Sequence, residues 1–225
     1  MFDFNKVRVV GVTTPCLDNI PDSEGIVAYA ARVSNPSNQD NFETAGKLLK
    51  YCVEHGHYSV FETVNIVMEI ETPRDIARQM LRHRSFSFQE FSQRYAEAQN
   101  FVTRECRLQD TKNRQNSIEI NPTTEDDRFL IHEWERRQKE IIDLVNENYK
   151  WAIQAGIAKE CARVSLPEGN TMSRLYMNGT LRSWLHYCSL RDGNGTQKEH
   201  IDLAQKSKVE ILKYFPFMNE IWDKE

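Results

Sequence analysis

Alternating apolar and polar residues in the first third of the chain predict two β-strands. One run, Val7 to Val12, is rich in β-branched residues and is bounded by a turn. A second run, Val64 to Glu71, places Val64, Ile66, Met68 and Ile70 at alternate positions. Because successive side chains of a strand point to opposite faces, the second run presents an apolar face to a core.

A helix is predicted directly after the second strand. Thr72 suits the N-cap position, Pro73 the first helical position, and Asp75 the closing position of a capping box. The apolar stripe of this helix is Ile76, Ala77, Met80 and Leu81. The other faces carry Arg78, Gln79 and Arg82. The helix therefore delivers polar side chains to its carboxyl end.

A long helix is predicted in the second half of the chain, after a loop. Residues 104–123 are polar, lack periodicity and end in Asn121-Pro122, which predicts a loop. Thr124 and Asp127 then cap a helix that stops near Gly156. Its apolar positions include Leu130, Trp134, Ile141, Val145 and Ala152. A shorter helix follows, to about Arg163.

Two more helices are predicted beyond Pro167. The first has the spacing of a buried stripe at Leu181, Trp184, Leu185 and Cys188. A different face of this helix carries Arg182, His186 and Ser189. Residues 196–199 read as another capping box, which opens a helix that runs toward Phe215.

Length and composition indicate one domain over residues 1–225, and the strands and long helices predicted above make it of mixed α/β (α+β) class. No repeat, low-complexity tract or linker divides the chain. The balance of 29 Lys and Arg against 33 Asp and Glu disfavours a protein that coats polymeric nucleic acid. The five cysteines form no Cys-x-x-Cys pair, which indicates reduced thiols in the cytoplasm. No apolar stretch approaches the roughly 20 residues of a membrane span, and no leader peptide is recognisable at Met1.

The most informative segment for function is Arg74 to Arg94. Its five arginines face only two carboxylates, a formal excess of three positive charges in an acidic protein. Guanidinium groups match phosphate oxygens bidentately and keep their charge, so the segment predicts an anion site. Arg82, His83 and Arg84 cannot all point one way on a helix, so the helix is expected to end there and splay them toward two ligands. The alternative is that these arginines only pair with surface carboxylates.

Neutral polar and aromatic residues in the same segment favour nucleotide recognition. The polar ones are Ser85, Ser87, Gln89, Ser92 and Gln93, and the aromatic ones are Phe86, Phe88 and Phe91. A nucleophilic Ser92 is disfavoured because the Gly-x-Ser-x-Gly turn is absent. Neither a Gly-x-Gly-x-x-Gly fingerprint nor a P-loop is present, so any phosphate must rest on arginines and serines.

Two other groups of residues are candidates for chemistry. His55, His57 and Glu62 could ligate a metal, although no His-Glu-x-x-His arrangement or third ligand is signalled, and we expect no metal. The second group comprises Arg163, Arg174, Arg182 and Arg191, with His186. Each is by itself a solvated charge, but together with the first cluster they could close around a multiply charged ligand.

The chain resembles the flavin-dependent thymidylate synthases at Arg82-His83-Arg84, seven intervening residues and Ser92, continuing Gln93-Arg94-Tyr95. That motif is highly specific. The resemblance extends over roughly Ala30 to Gln205. Further matches are residues 30–34, 55–62, 77–79, 162–167 and 178–191.

The resemblance implies a fold and a reaction. The fold is a twisted antiparallel sheet with flanking long helices, assembled as a homotetramer with active sites where subunits meet. The reaction converts dUMP and methylenetetrahydrofolate to dTMP and tetrahydrofolate, with FAD, reduced by NADPH, as the hydride carrier. No protein nucleophile is required.

The resemblance also implies residue roles, carried over position by position. The implied flavin and folate site comprises Ser34, His57, Ser59, Arg82, His83, Arg84, Glu90, Thr180, Leu181, Arg182 and His186. The implied dUMP contacts are Gln79, Arg82, Glu90, Ser92, Gln93, Arg94, Arg163 and Arg191. Arg191 corresponds to the arginine that polarises the uracil ring and is the expected catalytic residue.

Departures from the family and two competing hypotheses remain. Some members have Asn-Ala-Arg where this chain has Thr180-Leu181-Arg182, Asn in place of His186, and a shorter amide in place of Gln89. The same arginines could serve a non-enzymatic RNA or nucleotide-binding module. A metal-dependent nucleotide hydrolase would instead use His55, His57, Glu62 and His83.

Overall fold

An antiparallel sheet of four strands lies at the centre of the fold, in the order β1-β2-β6-β3. The computed structural model describes residues 1–98, 100–193 and 195–222. The strands are β1 (Lys6–Val12), β2 (Asn65–Pro73), β3 (Ser87–Glu90), β4 (Arg107–Gln109), β5 (Ser117–Glu119) and β6 (Met172–Thr180). The short strands β4 and β5 pair only with each other.

Helices are the other main elements of the fold and confirm the mixed α/β class. They are α1 (Ser23–Ala31), α2 (Ala45–Glu54), α3 (Arg74–Met80), α4 (Glu125–Gln154), α5 (Lys159–Ala162), α6 (Leu181–Arg191), α7 (Lys198–Leu212) and α8 (Asn219–Trp222). Single 3₁₀ turns occur at Pro36–Asn38, Tyr58–Thr63, Arg163–Ser165 and Pro216–Met218. Among the helices of the described ranges, none has both the length and the apolar composition of a membrane-spanning helix.

The core lies between one face of the sheet and helices α6 and α7. Ile66, Met68 and Ile70 of β2 are fully buried, as the alternation predicts, together with Trp184 of α6. The indole Nε1 of Trp184 donates to the carbonyl oxygen of Ile66 at 3.1 Å. Burying this apolar surface provides most of the drive for folding, and the indole hydrogen bond ties α6 to the central strand.

The other face of the sheet carries paired charges. Arg8 donates from Nε to Glu69 at 2.8 Å, and the Tyr176 hydroxyl donates to the same carboxylate at 2.8 Å. Arg174 donates from Nε to Glu71 at 3.0 Å. Arg174 therefore belongs to this ion-paired face and is not brought to the cluster of Arg82 and Arg84, contrary to the expectation that it might join them around a ligand.

Two predicted capping boxes are wrong, and one is confirmed. Strand β2 continues through Thr72, whose hydroxyl donates to the side-chain oxygen of Asn5 at 2.8 Å. Pro73 is therefore the N-cap of α3, and no side chain caps this helix. Helix α7 likewise begins after Gln197 without a side-chain cap. For α4, by contrast, Thr124 and Asp127 form the reciprocal box. Thr72 is paired with Ser173 in the sheet and its hydroxyl is used by Asn5, so it does not cap α3.

The predicted loop 104–123 contains the β4–β5 hairpin and is held against α7. Arg104 and Arg107 approach the Glu199 carboxylate at 3.1 Å and 2.7 Å. Glu199 is fully buried; burial by itself would raise the pKa of this carboxyl, but the two arginines lower it. A buried carboxylate is tolerated when its charge is compensated in this way, so the ion pairs anchor the hairpin.

Helix α4 leaves much of its apolar stripe exposed. The exposed fractions are Leu130 42%, Trp134 44%, Ile141 51%, Leu144 67% and Trp151 60%. These positions follow one another at intervals of 4, 7, 3 and 7 residues, which places them on one face of the helix. On another face, Tyr149 and Ala152 pack with Ala162 in a small second cluster.

Candidate active site

The turn after α3 displays the cluster Arg82-His83-Arg84 as predicted. Helix α3 ends at Met80, and the side chains of Arg82 and Arg84 are exposed while His83 is half-buried between them. Phe86 anchors this turn, with its ring 4.8 Å from that of Trp184 at an angle of 75°. A Cβ on Gly179 would collide with the Phe86 ring. Glycine at 179 therefore lets the turn pack onto β6.

Helix α6 brings one cation of the second group, Arg191, to this turn. Arg191, at its carboxyl end, donates from Nε to Nε2 of His83 at 2.9 Å. Since a guanidinium can only donate, His83 has to be unprotonated at Nε2 and carry its proton on Nδ1. Burial, followed by the charges of Arg191 and Arg82, lowers the pKa of His83 to about 4. The imidazole is thus neutral and accepts from a fixed positive charge.

Gln79 of α3 is held by Gln197, the N-cap of α7, and by His200 in the first turn of that helix. Its Nε2 donates to Oε1 of Gln197 at 2.8 Å, and its Oε1 lies 3.2 Å from Nδ1 of His200. Burial, followed by the charges of Arg191, His83 and Arg82, lowers the pKa of His200 to about 3. Gln79 was predicted from the sequence as a site residue, but Gln197 and His200 were missed. Nothing in the local sequence signals that His200, three residues after Gln197, is buried beside Gln79.

The amino end of α6 meets the segment that follows α2. Arg182 donates to Glu62 at 2.9 Å, and the ring centroids of Tyr58 and His186 are 5.1 Å apart. A hydrogen bond from Thr180, and then the Arg182 contacts, lower the pKa of Glu62. The structure thereby brings together two stretches of the sequence. One contains Ser59 and Glu62, and the other contains Thr180, Leu181, Arg182 and His186.

The carboxyl half of the arginine-rich segment is largely ion-paired. Glu90 accepts from Ser173 at 2.8 Å and lies 3.4 Å from Nη1 of Arg74. Arg94 pairs with Glu160 at 3.1 Å. For Arg74 and Arg94, therefore, the alternative of carboxylate pairing is observed. Ser92 is half-buried beside them, and the buried Nε2 of Gln93 has no hydrogen-bond partner in the described chain.

Three cationic side chains differ from the rest of the set. Over residues 1–98, 100–193 and 195–222, no hydrogen bond or ion pair engages the guanidinium groups of Arg82, Arg84 or Arg163. Arg82 and Arg84 project into solvent next to the neutral His83. Guanidinium groups without a carboxylate partner are able to bind a phosphate, since none of the described residues competes for them.

Ser34 and His57 have neighbours other than His83 and Arg191. Ser34 lines a separate cavity of about 470 Å³ together with Tyr51. The Tyr51 ring stacks on His55 at 3.8 Å and meets His57 edge-on at 6.0 Å. Both histidines are exposed. The structure therefore joins Ser34 to His57 through Tyr51, and no contact within the described residues joins either of them to Arg191.

The residues of the hypothetical metal site have other partners. His83 accepts from Arg191, Glu62 pairs with Arg182, and His55 stacks on Tyr51. Within the described part of the chain, no group of three or more His, Cys, Asp or Glu side chains is arranged to hold a metal ion.

Comparison with known families gives a match over most of the chain. The family described as thymidylate synthase complementing protein matches residues 16–217. That span contains the turn at Arg82, the whole of α6, and both α3 and α7 with the contacts of Gln79.

Relatives and solved structures similar to this chain have consistent descriptions. A probable flavin-dependent thymidylate synthase of Paramecium bursaria Chlorella virus 1 is 48% identical over 219 residues, 97% of this chain and 99% of that protein. A flavin-dependent thymidylate synthase of Synechocystis is 46% identical over 213 residues, 93% of this chain and 95% of that protein. The crystal structure of a UMP/dUMP methylase from Streptomyces cacaoi with bound 5-Br dUMP matches with a TM-score of 0.77 at 25% identity, over 98% of this chain and 95% of that one.

Proposed function

The chain belongs to the flavin-dependent thymidylate synthase family, and from this premise we propose that it converts dUMP to dTMP by reductive methylation. Methylenetetrahydrofolate supplies the carbon and becomes tetrahydrofolate, and NADPH supplies the reducing equivalents. The protein acts as a single domain of residues 1–225, of which 99, 194 and 223–225 lie outside the described residues. The contact between Arg191 and His83 carries the proposal, because it unites the two arginine-containing stretches that a nucleotide and a flavin require.

The residues around the turn fit FAD. Arg82 and Arg84 offer charged donors without a carboxylate competitor in the described chain, which suits a pyrophosphate. The proposed set for the flavin and folate is Ser34, His57, Ser59, Arg82, His83, Arg84, Glu90, Thr180, Leu181, Arg182 and His186. When bound, FAD supplies hydride transfer from NADPH to the incoming methyl carbon. The chain's own contribution is to bind and orient it.

The proposed dUMP site adjoins the flavin site and shares Arg82 and Glu90 with it. Its residues are Gln79, Arg82, Glu90, Ser92, Gln93, Arg94, Arg163 and Arg191. The unpaired Nε2 of Gln93 and the unpaired guanidinium of Arg163 support this set, since each has capacity that no described residue uses. On binding dUMP, Arg94 would give up its exposed ion pair with Glu160 for a contact with the nucleotide. The loss of an exposed ion pair costs little free energy.

Arg191 is the proposed catalytic residue. Its positive charge beside the uracil stabilises the negative charge that develops on the ring, so that C5 becomes nucleophilic. Burial lowers the pKa of Arg191, but an arginine retains its proton in such a setting. The hydrogen bond to His83 fixes the direction of the guanidinium, and hence which of its N–H groups remain for the substrate.

We also propose a homotetramer with sites formed where subunits meet. The exposed apolar face of α4 supports assembly, because a face with coiled-coil spacing is suited to packing against a second copy. Arg163, which follows α5 and lacks a partner within the described chain, suits a site completed by a neighbouring subunit. We place the enzyme in the cytoplasm; the five cysteines, all within the described ranges, form no disulfide.

Incubation of the protein with dUMP, methylenetetrahydrofolate and NADPH tests the proposal directly. We expect dTMP, and we expect the yellow FAD-loaded protein to bleach with NADPH under anaerobic conditions. Arg191→Ala should retain flavin while dTMP formation falls on the order of 100-fold or more. Arg174→Ala, on the ion-paired outer face of the sheet, is the control and should retain activity. A colourless protein that cannot be reconstituted with FAD would disprove the proposal.

A further inference from the structure

The N-cap and the first turn of α7 hold both ends of the Gln79 amide. Gln197 accepts from Nε2 of Gln79 at 2.8 Å, and Nδ1 of His200 lies 3.2 Å from Oε1. Gln197 and His200 are three positions apart, so they follow one another on the same side of the helix. The Gln79 side chain is therefore clamped before any ligand arrives.

The partners of His200 define its tautomer. The oxygen of an amide can only accept, so the proton of the neutral imidazole has to be on Nδ1. Nε2 is then a bare acceptor, and it is buried without a hydrogen-bond partner among the described residues. His200 itself is fully buried.

Packing alone does not account for a histidine at this position. An apolar side chain would fill the space and would leave no acceptor unsatisfied. The imidazole adds one N–H donor, at Nδ1, and this donor points to Oε1 of Gln79. An imidazole retained in spite of an unsatisfied nitrogen indicates that the hydrogen bond to Gln79 has a use.

We infer that His200 is a positioning residue for dUMP, acting through Gln79. The inference rests on the proposed function, in which Gln79 contacts the nucleotide. An amide has two N–H groups and two lone pairs on oxygen. Gln197 uses one of these N–H groups and His200 uses one of these lone pairs. Gln79 therefore presents its second N–H group and its second lone pair in fixed positions. Because the side chain is already held, less side-chain entropy is lost when dUMP binds.

Three substitutions separate this role from a structural one. His200→Leu removes both nitrogens. His200→Asn restores a nitrogen bonded to Cγ, where Nδ1 is attached, whereas His200→Gln places it one carbon further out, near the position of Nε2. Titration calorimetry of the FAD-loaded protein with dUMP gives the affinities, and steady-state assays give KM and kcat.

We expect His200→Leu and His200→Gln to weaken dUMP binding about 10-fold, and His200→Asn to bind within about threefold of the wild type. The KM for dUMP should rise in the same order while kcat at saturating dUMP changes less than about threefold. A structural role would instead make affinity follow the melting temperature of each variant. If His200→Leu does not fold, equal affinities of the Asn and Gln variants would overturn the inference.

A double-mutant cycle with Gln79→Ala completes the test. If His200 acts through Gln79, His200→Leu should cost no further dUMP affinity in the Gln79→Ala background. An equal loss in both backgrounds, or unchanged binding in His200→Leu alone, would overturn this inference and leave the proposed function intact. A wild type that bound FAD but not dUMP would overturn both.

Discussion

Arg191 donates through Nε to Nε2 of His83 at 2.9 Å, although 108 positions of sequence separate the two residues. The contact joins the carboxyl end of α6 to the turn after α3. It makes His83 a neutral acceptor and gives the guanidinium one direction. Each of these consequences is measurable.

The first expectation concerns the titration of His83. Burial, Arg191 and Arg82 lower its pKa to about 4, so Arg191→Met, which removes the second cause, should raise that pKa. A pKa depressed in the folded state gives stability that is fully present above the unfolded value of about 6.5 and is lost as the pH falls toward 4. In Arg191→Met this loss should occupy a narrower pH range. Histidine NMR and urea midpoints between pH 4 and 7 measure both effects.

Arg174→Met serves as the matched control for that titration, since Arg174 pairs with Glu71 on the outer face of the sheet. It should leave the His83 pKa unchanged. An unaltered His83 pKa in Arg191→Met would show that burial and Arg82, without Arg191, depress it.

The second expectation separates binding from stability at the exposed arginines. Arg82 and Arg84 have no carboxylate partner in the described chain, so Arg82→Ala and Arg84→Ala should change the free energy of unfolding by less than about 0.5 kcal/mol. Each should weaken FAD binding by at least about 10-fold, because a charge-assisted hydrogen bond to a phosphate is lost. Flavin fluorescence titration and urea denaturation give the two quantities. Unchanged FAD affinity in both variants would refute the assignment of this turn to the flavin.

The third expectation concerns assembly. Leu144 and Trp151 are 67% and 60% exposed on the apolar face of α4. Replacing both by Asp should convert the proposed tetramer to smaller species in sedimentation velocity, because the charges have to be desolvated at the contact. Activity should fall with it if sites span subunits. Leu17→Asp, at a residue 52% exposed before α1, is the control. A persistent tetramer would place the contact elsewhere.

The fourth expectation concerns the packing of the turn on β6. Gly179→Ala places a Cβ against the Phe86 ring, which should destabilise the fold by about 1–3 kcal/mol and weaken FAD binding through displacement of Arg84. Gly169→Ala is a suitable control, since a Cβ there meets no described atom within 4 Å. Equal urea midpoints for the two variants would contradict the close approach.

Sequence alone was sufficient where a signal is local. The capping box of Thr124 and Asp127 spans four residues and correctly begins α4, and the alternation of Ile66, Met68 and Ile70 correctly gives a strand with one buried face. The splaying of Arg82, His83 and Arg84 follows from helical geometry in the same way. The specific motif that begins at Arg82 was enough to identify the family.

Tertiary structure decided what depends on distant partners. Thr72 satisfies the capping pattern, yet sheet pairing of β2 with β6 and the hydroxyl bond to Asn5 draw it into a strand. The roles of Gln197 and His200 follow only from α7 packing beside α3, and Arg174 differs from Arg191 only in the face on which the fold places it. Capping and periodicity act over a few residues, whereas burial and ion pairing depend on contacts between residues a hundred or more positions apart, which leave no pattern in the local sequence.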